Sequence, residues 1–238
     1  SSGGTSSSPT RRGSGWKKCR LMMRTSADNG HTWSADAEIP GSLGWLPRNP
    51  PITVGGELYL PVSAVQDGFE GGRLLRWDAA KSAWEPRAYL RHAEQLSVAP
   101  RADGSLLGLM RSQPHVLTSS TPDLGKTWAP VEATTLKCPD SAVCLLRLKS
   151  GRYLAAHNDN DGWDRAILTI HQSTDEGKTW GEPRTLEYEA RLADGEYSYP
   201  CLIQTNDGMI HITYTCRRFT IKHAEFNEAW LTEVVRPN

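Results

Sequence analysis

The sequence predicts an all-β fold, a β-propeller of four-stranded blades, and three observations carry that expectation. One turn motif occurs three times, a second landmark recurs out of phase with it at a similar period, and helical periodicity is nearly absent. The motif reads S/T-x-D-x-G-x-T-W. Its copies are Ser26, Asp28, Gly30, Thr32 and Trp33; Thr121, Asp123, Gly125, Thr127 and Trp128; and Ser173, Asp175, Gly177, Thr179 and Trp180. Each residue type has a mechanical part. The Asp accepts hydrogen bonds from its own turn backbone, the Gly takes a positive φ, and the Trp plugs the turn onto a core.

Along the chain, residues 1–15 are mostly Ser, Gly, Thr, Pro and Arg without apolar periodicity, a composition expected to remain a loop or disordered segment. Propeller sequence is expected from 16 to 238. Between the motif tryptophans 33 and 128 lies Trp84, closing a decayed copy that begins at Trp77 and Asp78 and has no Gly; the successive spacings are 51, 44 and 52 residues. The second landmark is a turn glycine opening an apolar strand, at Gly56, Gly104, Gly151 and Gly208, with spacings of 48, 47 and 57. Each period holds four short strand signals, as at 142–148, 151–157, 166–172 and after Trp180. Four strands in a period of roughly 40–50 residues select a propeller over a sandwich or barrel. The expected blades are a partial one at about 17–38 and further ones at about 45–90, 93–133, 140–188 and 197–235, with 226–235 readable as strand or as a short helical turn. Because an open ring leaves bare strand edges, the expectation is a ring lacking about one and a half blades on its N-terminal side.

Composition narrows the partners. The 238 residues include 27 basic and 27 acidic side chains, so no one-signed surface is available for nucleic acid or an anionic membrane. No apolar run approaches the roughly 20 residues of a membrane-spanning helix, and no signal peptide is visible. Five cysteines, Cys19, Cys138, Cys144, Cys201 and Cys216, are odd in number and lack C-x-x-C spacing, so they read as buried, reduced thiols. That leans slightly towards a cytoplasmic location. His92, His115, His157, His171, His211 and His223 have no metal-ligand spacing, and Asn158 to Asp161 reads as a polar turn rather than a calcium loop. No metal and no cofactor is expected.

Strand geometry locates a site. Consecutive strands of a blade are antiparallel, so strand-1 starts and strand-2 ends share a face, while the Asp-bearing turns lie on the opposite face as scaffold. The seventh residue after each turn glycine is Ser63, Arg111, Asn158 and Thr215. Strand-1 starts carry Asn49, Glu94 with Gln95, Asp140 with Ser141, and Tyr197 with Ser198; Arg217 and Arg218 follow Thr215. One mouth is thus expected to collect an arginine, carboxylates, amides and a tyrosine.

The turn motif is the Asp-box, and together with residues 196–200 (EYSYP) and 210–215 (IHITYT) the chain resembles a predicted-neuraminidase branch of the sialidase superfamily over residues 16–225. The resemblance implies a six-bladed propeller that hydrolyses terminal acidic sugars, with a tyrosine nucleophile, a glutamate that activates it, an aspartic general acid and three arginines on the substrate carboxylate. Carried over by position, Tyr197 matches the nucleophile, Glu94 its activating carboxylate and Arg111 the second arginine. Tyr199 reads as a packing aromatic. The third arginine is expected near His157 and Asn158, where Arg218 from the last blade is a substitute, and Gln95 competes with Glu94. The substrate-binding candidates are therefore Arg111, Arg218, Asn158, His157, Asn49 and Gln95, and the ligand a glycan or small acidic sugar. Two readings stand beside sialic-acid hydrolysis: a hydrolase or lyase of another acidic sugar, and a non-catalytic carbohydrate-binding propeller.

Overall fold

A computed structural model describes residues 18–66, 69–189 and 196–232 of the chain. The expected disordered segment 1–15 lies outside them. The chain forms two compact units, residues 1–46 and residues 47–238.

In the first unit, β1 (Met22–Met23) pairs antiparallel with β2 (Ala37–Glu38), and the first Asp-box is the turn between them. Its bonding is that of a self-contained knot. Asp28 accepts from the Thr32 amide at 2.9 Å, the Thr32 hydroxyl at 2.6 Å and the Ser26 hydroxyl at 2.7 Å. Gly30 sits at φ 88°, and its amide donates to Ser26 Oγ at 2.8 Å. Trp33 corrects an expectation: its side chain is turned to Gly30 O by a 3.0 Å bond from Nε1 and is 59% exposed, so this copy does not plug a core.

After the short strand β3 (Leu46–Pro47), the described residues of the second unit form four antiparallel sheets, each a blade. The first runs β4 (Ile52–Val54), β5 (Glu57–Gln66), β6 (Phe69–Asp78) and β7 (Ala83–Pro86), with β8 (Leu90–Arg91) also on β6. The second is β9 (Ser97–Pro100), β10 (Leu106–Met110), β11 (His115–Thr121) and β12 (Glu132–Lys137). The third is β13 (Cys144–Arg147), β14 (Tyr153–His157), β15 (Ile167–Ser173) and β16 (Arg184–Tyr188). The fourth has three strands, β17 (Tyr197–Gln204), β18 (Ile210–Cys216) and β19 (Thr220–Phe226), followed by a helix α1 (Glu228–Thr232) where the sequence left strand and helical turn open. Positions 233–235 of that expectation lie outside the described residues.

Each sheet follows chain order because each turn closes a hairpin. Gly104, Gly151 and Gly208 take φ between 85° and 89° between the first two strands of their blades. The Asp-boxes of the second and third blades join strands three and four with the same bonding as in the first unit. The decayed copy works without glycine: Ser82 takes φ 50°, Asp78 accepts from the amides of Ala80 and Lys81, and Trp77 meets Trp84 edge-on with centroids 5.3 Å apart. Trp128 and Trp180 pack against buried clusters of the second unit, which are their plugs.

Apolar alternation then stacks the blades. Leu154, Leu168 and Ile170 of the third blade and Ile210 and Ile212 of the fourth are fully buried in one cluster, each worth about 1.5–3 kcal/mol of transfer free energy. The inner strands β9, β13 and β17 lie beside one another. Residues of four inner strands, Ile52, Ala99, Leu146 and Ile203 among them, line a single channel of about 280 Å³, the axis of the arrangement. Among the described residues no helix is long and apolar enough to cross a membrane.

The box carboxylates give a signed pH dependence. Asp175 is held at about 2 rather than 3.8 by the Thr179 hydroxyl, then the Thr179 amide and the Ser173 hydroxyl. A depressed carboxyl stabilises fully above its unfolded value and loses that contribution as pH falls towards its folded value. Asp175→Asn is expected to lower Tm at pH 7, and its deficit against the parent chain to shrink between about pH 4 and 2. Thermal melts across that range check this; a deficit independent of pH contradicts it.

Candidate functional site

Backbone bonds bring strand-2 ends onto strand-1 starts, as the antiparallel hairpins require. The Arg111 amide donates to Glu94 O at 3.0 Å, and the Arg217 amide donates to Glu196 O at 2.6 Å. These pairs seat a set of charged groups at one mouth of the second unit.

Arg111 forms a two-pronged pair with Asp140, Nε to Oδ1 at 2.9 Å and Nη2 to Oδ2 at 3.0 Å, and its Nη1 lies 3.7 Å from Glu94 Oε1. Burial works against its charge, but Asp140 and Glu94 outweigh it and hold the guanidinium firmly protonated. The fork engages Asp140 through one edge, which fixes the plane of the guanidinium. Arg165 donates to Asp140 O at 3.0 Å and lies 3.7 Å from Glu196 Oε1. Arg218 donates to the other oxygen of Glu196 and is 77% exposed.

Tyr199 is the aromatic among these charges. Its ring centroid is 5.7 Å from the guanidinium carbon of Arg165 and 5.9 Å from that of Arg48, within cation–π range. Arg111 and Arg218 each sense Tyr199 weakly through electrostatics. The residue is 43% exposed. Tyr199 has φ 56°, and Gln95 and Asp140, at the corresponding starts of the two preceding blades, have φ 52° and 53°. Left-handed backbone at non-glycine residues costs about 1–3 kcal/mol each and persists where surrounding structure imposes it.

The expected site residues divide. Arg111, Glu94 and Arg218 lie at this mouth, joined by Asp140, Arg165, Glu196 and Tyr199. Tyr197 does not: it is 4% exposed, sits in the apolar cluster between the third and fourth blades, and meets Tyr214 edge-on at 6.4 Å. Its ring packs in that cluster rather than among the arginines of the mouth. Asn49 is buried and donates to the carbonyls of Gln95 and Leu96 at 3.1 and 2.8 Å. Asn158 is buried and donates to Ile167 O at 2.6 Å and Tyr197 O at 2.7 Å. Both amide nitrogens are spent on backbone carbonyls, while Asn49 Oδ1 accepts from Arg48 and Asn158 Oδ1 is buried without a partner. His157 is fully buried and stacked on His171 at 5.1 Å; burial, then His171, pushes it down to about 4, so it is neutral at pH 7. Gln95 enters through its backbone, its amide accepted by Ser63 Oγ at 2.8 Å.

Sequence reasoning missed Arg165 and Arg48. Arg165 closes the polar loop 158–166 and Arg48 precedes the first blade's inner strand, so neither falls at a repeat offset. The one signal for Arg165 was an arginine in the loop next to the position where a third one was expected. Trp163, two residues before Arg165, is 71% exposed. Among the described residues no group of three or more His, Cys, Asp or Glu is placed to hold a metal ion.

Blades joined at an axis, Asp-boxes on the turns and a charged mouth define a class of repeat protein, and comparison assigns it. The chain belongs to the BNR repeat-like domain family, whose profile matches residues 10–212. Among solved structures it is similar to the Hadza microbial sialidase Hz136, with TM-score 0.75 and 23% identity over 89% of this chain and 44% of that one. It is similar to the leech intramolecular trans-sialidase complexed with 2,7-anhydro-Neu5Ac, with TM-score 0.71 and 18% identity over 90% of this chain and 37% of that one. It is also similar to the intramolecular trans-sialidase of Ruminococcus gnavus in complex with oseltamivir carboxylate, with TM-score 0.66 and 19% identity over 92% and 52%. These likenesses show the fold, and the chain spans only about half or less of the length of each. No curated protein matches the sequence significantly.

The staple role of Asn158 is open to test. Asn158→Ala leaves two buried carbonyls without their donor, and a loss of about 2–4 kcal/mol in urea unfolding is expected. Unchanged stability would contradict it and return Asn158 to the list of ligand contacts.

Proposed function

We propose that this mouth is the sugar-binding face of a sialidase-like glycoside hydrolase releasing a terminal acidic sugar, sialic acid or a related one. The observation that carries the reading is the gathering of Arg48, Arg111, Arg165 and Arg218 about Tyr199 in a chain whose total charge is balanced. Such a local concentration of guanidiniums suits an anionic sugar. The leech and Ruminococcus gnavus proteins, whose structures hold 2,7-anhydro-Neu5Ac and oseltamivir carboxylate, support the same ligand class. A six-blade ring, with strands beyond the four blades described, belongs to the same proposal.

Tyr199 is the nucleophile in this reading, in place of Tyr197. Its oxygen attacks the anomeric carbon as the glycosidic bond breaks, its proton passes to a carboxylate, for which Glu94 is the candidate, and the leaving oxygen takes a proton from solvent. Water then attacks the same carbon and loses a proton to solvent, the bond to the Tyr199 oxygen breaks, and Glu94 returns the proton to that oxygen, freeing the sugar with retention. A neutral phenol avoids the repulsion that a carboxylate nucleophile meets from the sugar's own carboxylate. Arg111, held by Asp140, and Arg165, held by Glu196, are the carboxylate clamps. Trp163 offers an exposed apolar face near Arg165 for the rest of the glycan. The general acid is assigned to no residue of this chain.

Turnover of a fluorogenic sialoside tests the assignment. Tyr199→Phe is expected to lower kcat by about 1,000-fold or more while binding is largely kept, and Tyr197→Phe to stay within about threefold of the parent. Arg165→Ala is expected to weaken kcat/KM by about 10- to 100-fold. Full activity in Tyr199→Phe contradicts the nucleophile. Saturable binding with no product from the parent chain contradicts hydrolysis and favours a carbohydrate-binding propeller.

A further inference from the structure

Below the charged mouth, the third and fourth blades meet along their inner strands, and each of these strands carries a cysteine there. Arg48 reaches across the axis and grips one carbonyl from each strand: Val143 O at 3.3 Å and Pro200 O at 2.6 Å. The next residue along each strand is a cysteine, Cys144 on β13 and Cys201 on β17. The Cys144 sulfur accepts the amide of Leu202, the residue after Cys201, at 3.3 Å. This contact places the Cys144 sulfur against the backbone that carries Cys201. Both are free thiols. They are unequal in access: Cys144 is buried, whereas Cys201 is half-buried and lines an open cleft of about 380 Å³ with Ile203, His211 and His223.

We propose that Cys144 and Cys201 form a redox-active thiol pair that closes to a disulfide under mild oxidation and staples the inner strands of adjacent blades beneath Arg48. The geometry supplies three requirements: two thiols on neighbouring backbones, one of them reachable by a small oxidant, and a fixed cation beside both. The electrostatics agree. Cys201 is held below the usual thiol range by the Cys144 thiol that donates to it, and by Arg48, against the opposing effect of burial. Donation to Cys201 and burial push Cys144 up. The exposed partner therefore carries the thiolate that reacts first.

With a peroxide as oxidant the chemistry balances. The Cys201 thiolate attacks one peroxide oxygen, the O–O bond breaks, and the released hydroxide takes a proton to leave as water, giving a sulfenic acid on Cys201. The Cys144 sulfur then attacks the Cys201 sulfur, the S–O bond breaks, and the Cys144 proton leaves with the hydroxide as a second water. Two thiols and one hydrogen peroxide give one disulfide and two waters. A reductant such as a dithiol reverses it. The two readings share Arg48 but not their tests, since peptide mapping reads the thiols and sialoside turnover reads the mouth.

The test uses the folded chain, fully reduced and then treated at pH 7 with a small excess of hydrogen peroxide. Free thiols are alkylated, and the peptides are mapped by mass spectrometry without reduction. The expected result is a cross-linked peptide pair joining Cys144 to Cys201, lighter than the two reduced peptides by two hydrogens and lost on dithiothreitol treatment. Cys201→Ser should remove it, and Cys19→Ser should leave it intact. Cys201 is half-buried, so its serine variant is the safer one to fold; the parent map decides on its own where Cys144→Ser does not. The proposal is overturned if Cys201 is found unmodified, as sulfinic acid, or paired with Cys19, Cys138 or Cys216, while Cys144 stays a free thiol.

Discussion

An inner strand of a propeller blade has a neighbour on one side only, so its other edge presents amides and carbonyls towards the axis. Those groups are buried and must be satisfied by something other than a β-ladder. In this chain side chains from other blades do it. Asn49 serves the carbonyls of Gln95 and Leu96, Ser97 Oγ accepts the Leu145 amide at 2.9 Å, and the Tyr153 hydroxyl donates to Pro100 O at 2.6 Å. The Cys144 sulfur takes the Leu202 amide, Asn158 serves Tyr197 O, and Arg48 spans to the third and fourth blades. Each bond is worth only about 1 kcal/mol, but an unmet buried carbonyl costs more. The set fixes how the blades of the second unit are placed around one channel.

That constraint also builds the mouth. Strand-1 starts held in place by these staples present Glu94, Asp140 and Tyr199 from three successive blades, and strand-2 ends add Arg111, bonded to Glu94 O, and Arg217, bonded to Glu196 O. Charges of both signs then hold one another: Asp140 takes Arg111 and the backbone bond from Arg165, and Glu196 lies between Arg165 and Arg218. Pre-orientation of this kind lowers the cost of ordering guanidiniums when an anion arrives. Buried amides and a largely part-buried cluster of cations are therefore two levels of one design, and the residues of each level are not interchangeable.

The blades were legible in the sequence because turns and strands obey local rules. Asp-box bonding closes within eight residues, and alternation decides which face of a strand is buried. Arg111 was legible because the offset from a turn glycine fixes a place on the hairpin, and Glu94 because it stands at a strand-1 start, whereas Arg218 was legible only as following Thr215. Tyr199 was not. Residues 197 and 199 share parity on an ideal strand, so alternation gives them one fate. A register shift between Ser198 and Cys201, with Tyr199 at positive φ, turns one ring into the core and the other out to the arginines. Asn49 and Asn158 stood at site offsets but were drawn inwards by carbonyls from other blades, a demand that no single segment records. Arg48 and Arg165 act through contacts 95 to 152 residues away in the one case and from an irregular loop in the other.

The most direct measurement is a crystal structure of the chain with an acidic sugar such as sialic acid. The account predicts the sugar carboxylate within hydrogen-bonding distance of Arg111 and Arg165, with the anomeric carbon next to the Tyr199 oxygen and Tyr197 still buried between the third and fourth blades. A sugar seated away from Tyr199, or a mouth in which these guanidiniums point apart, would contradict it.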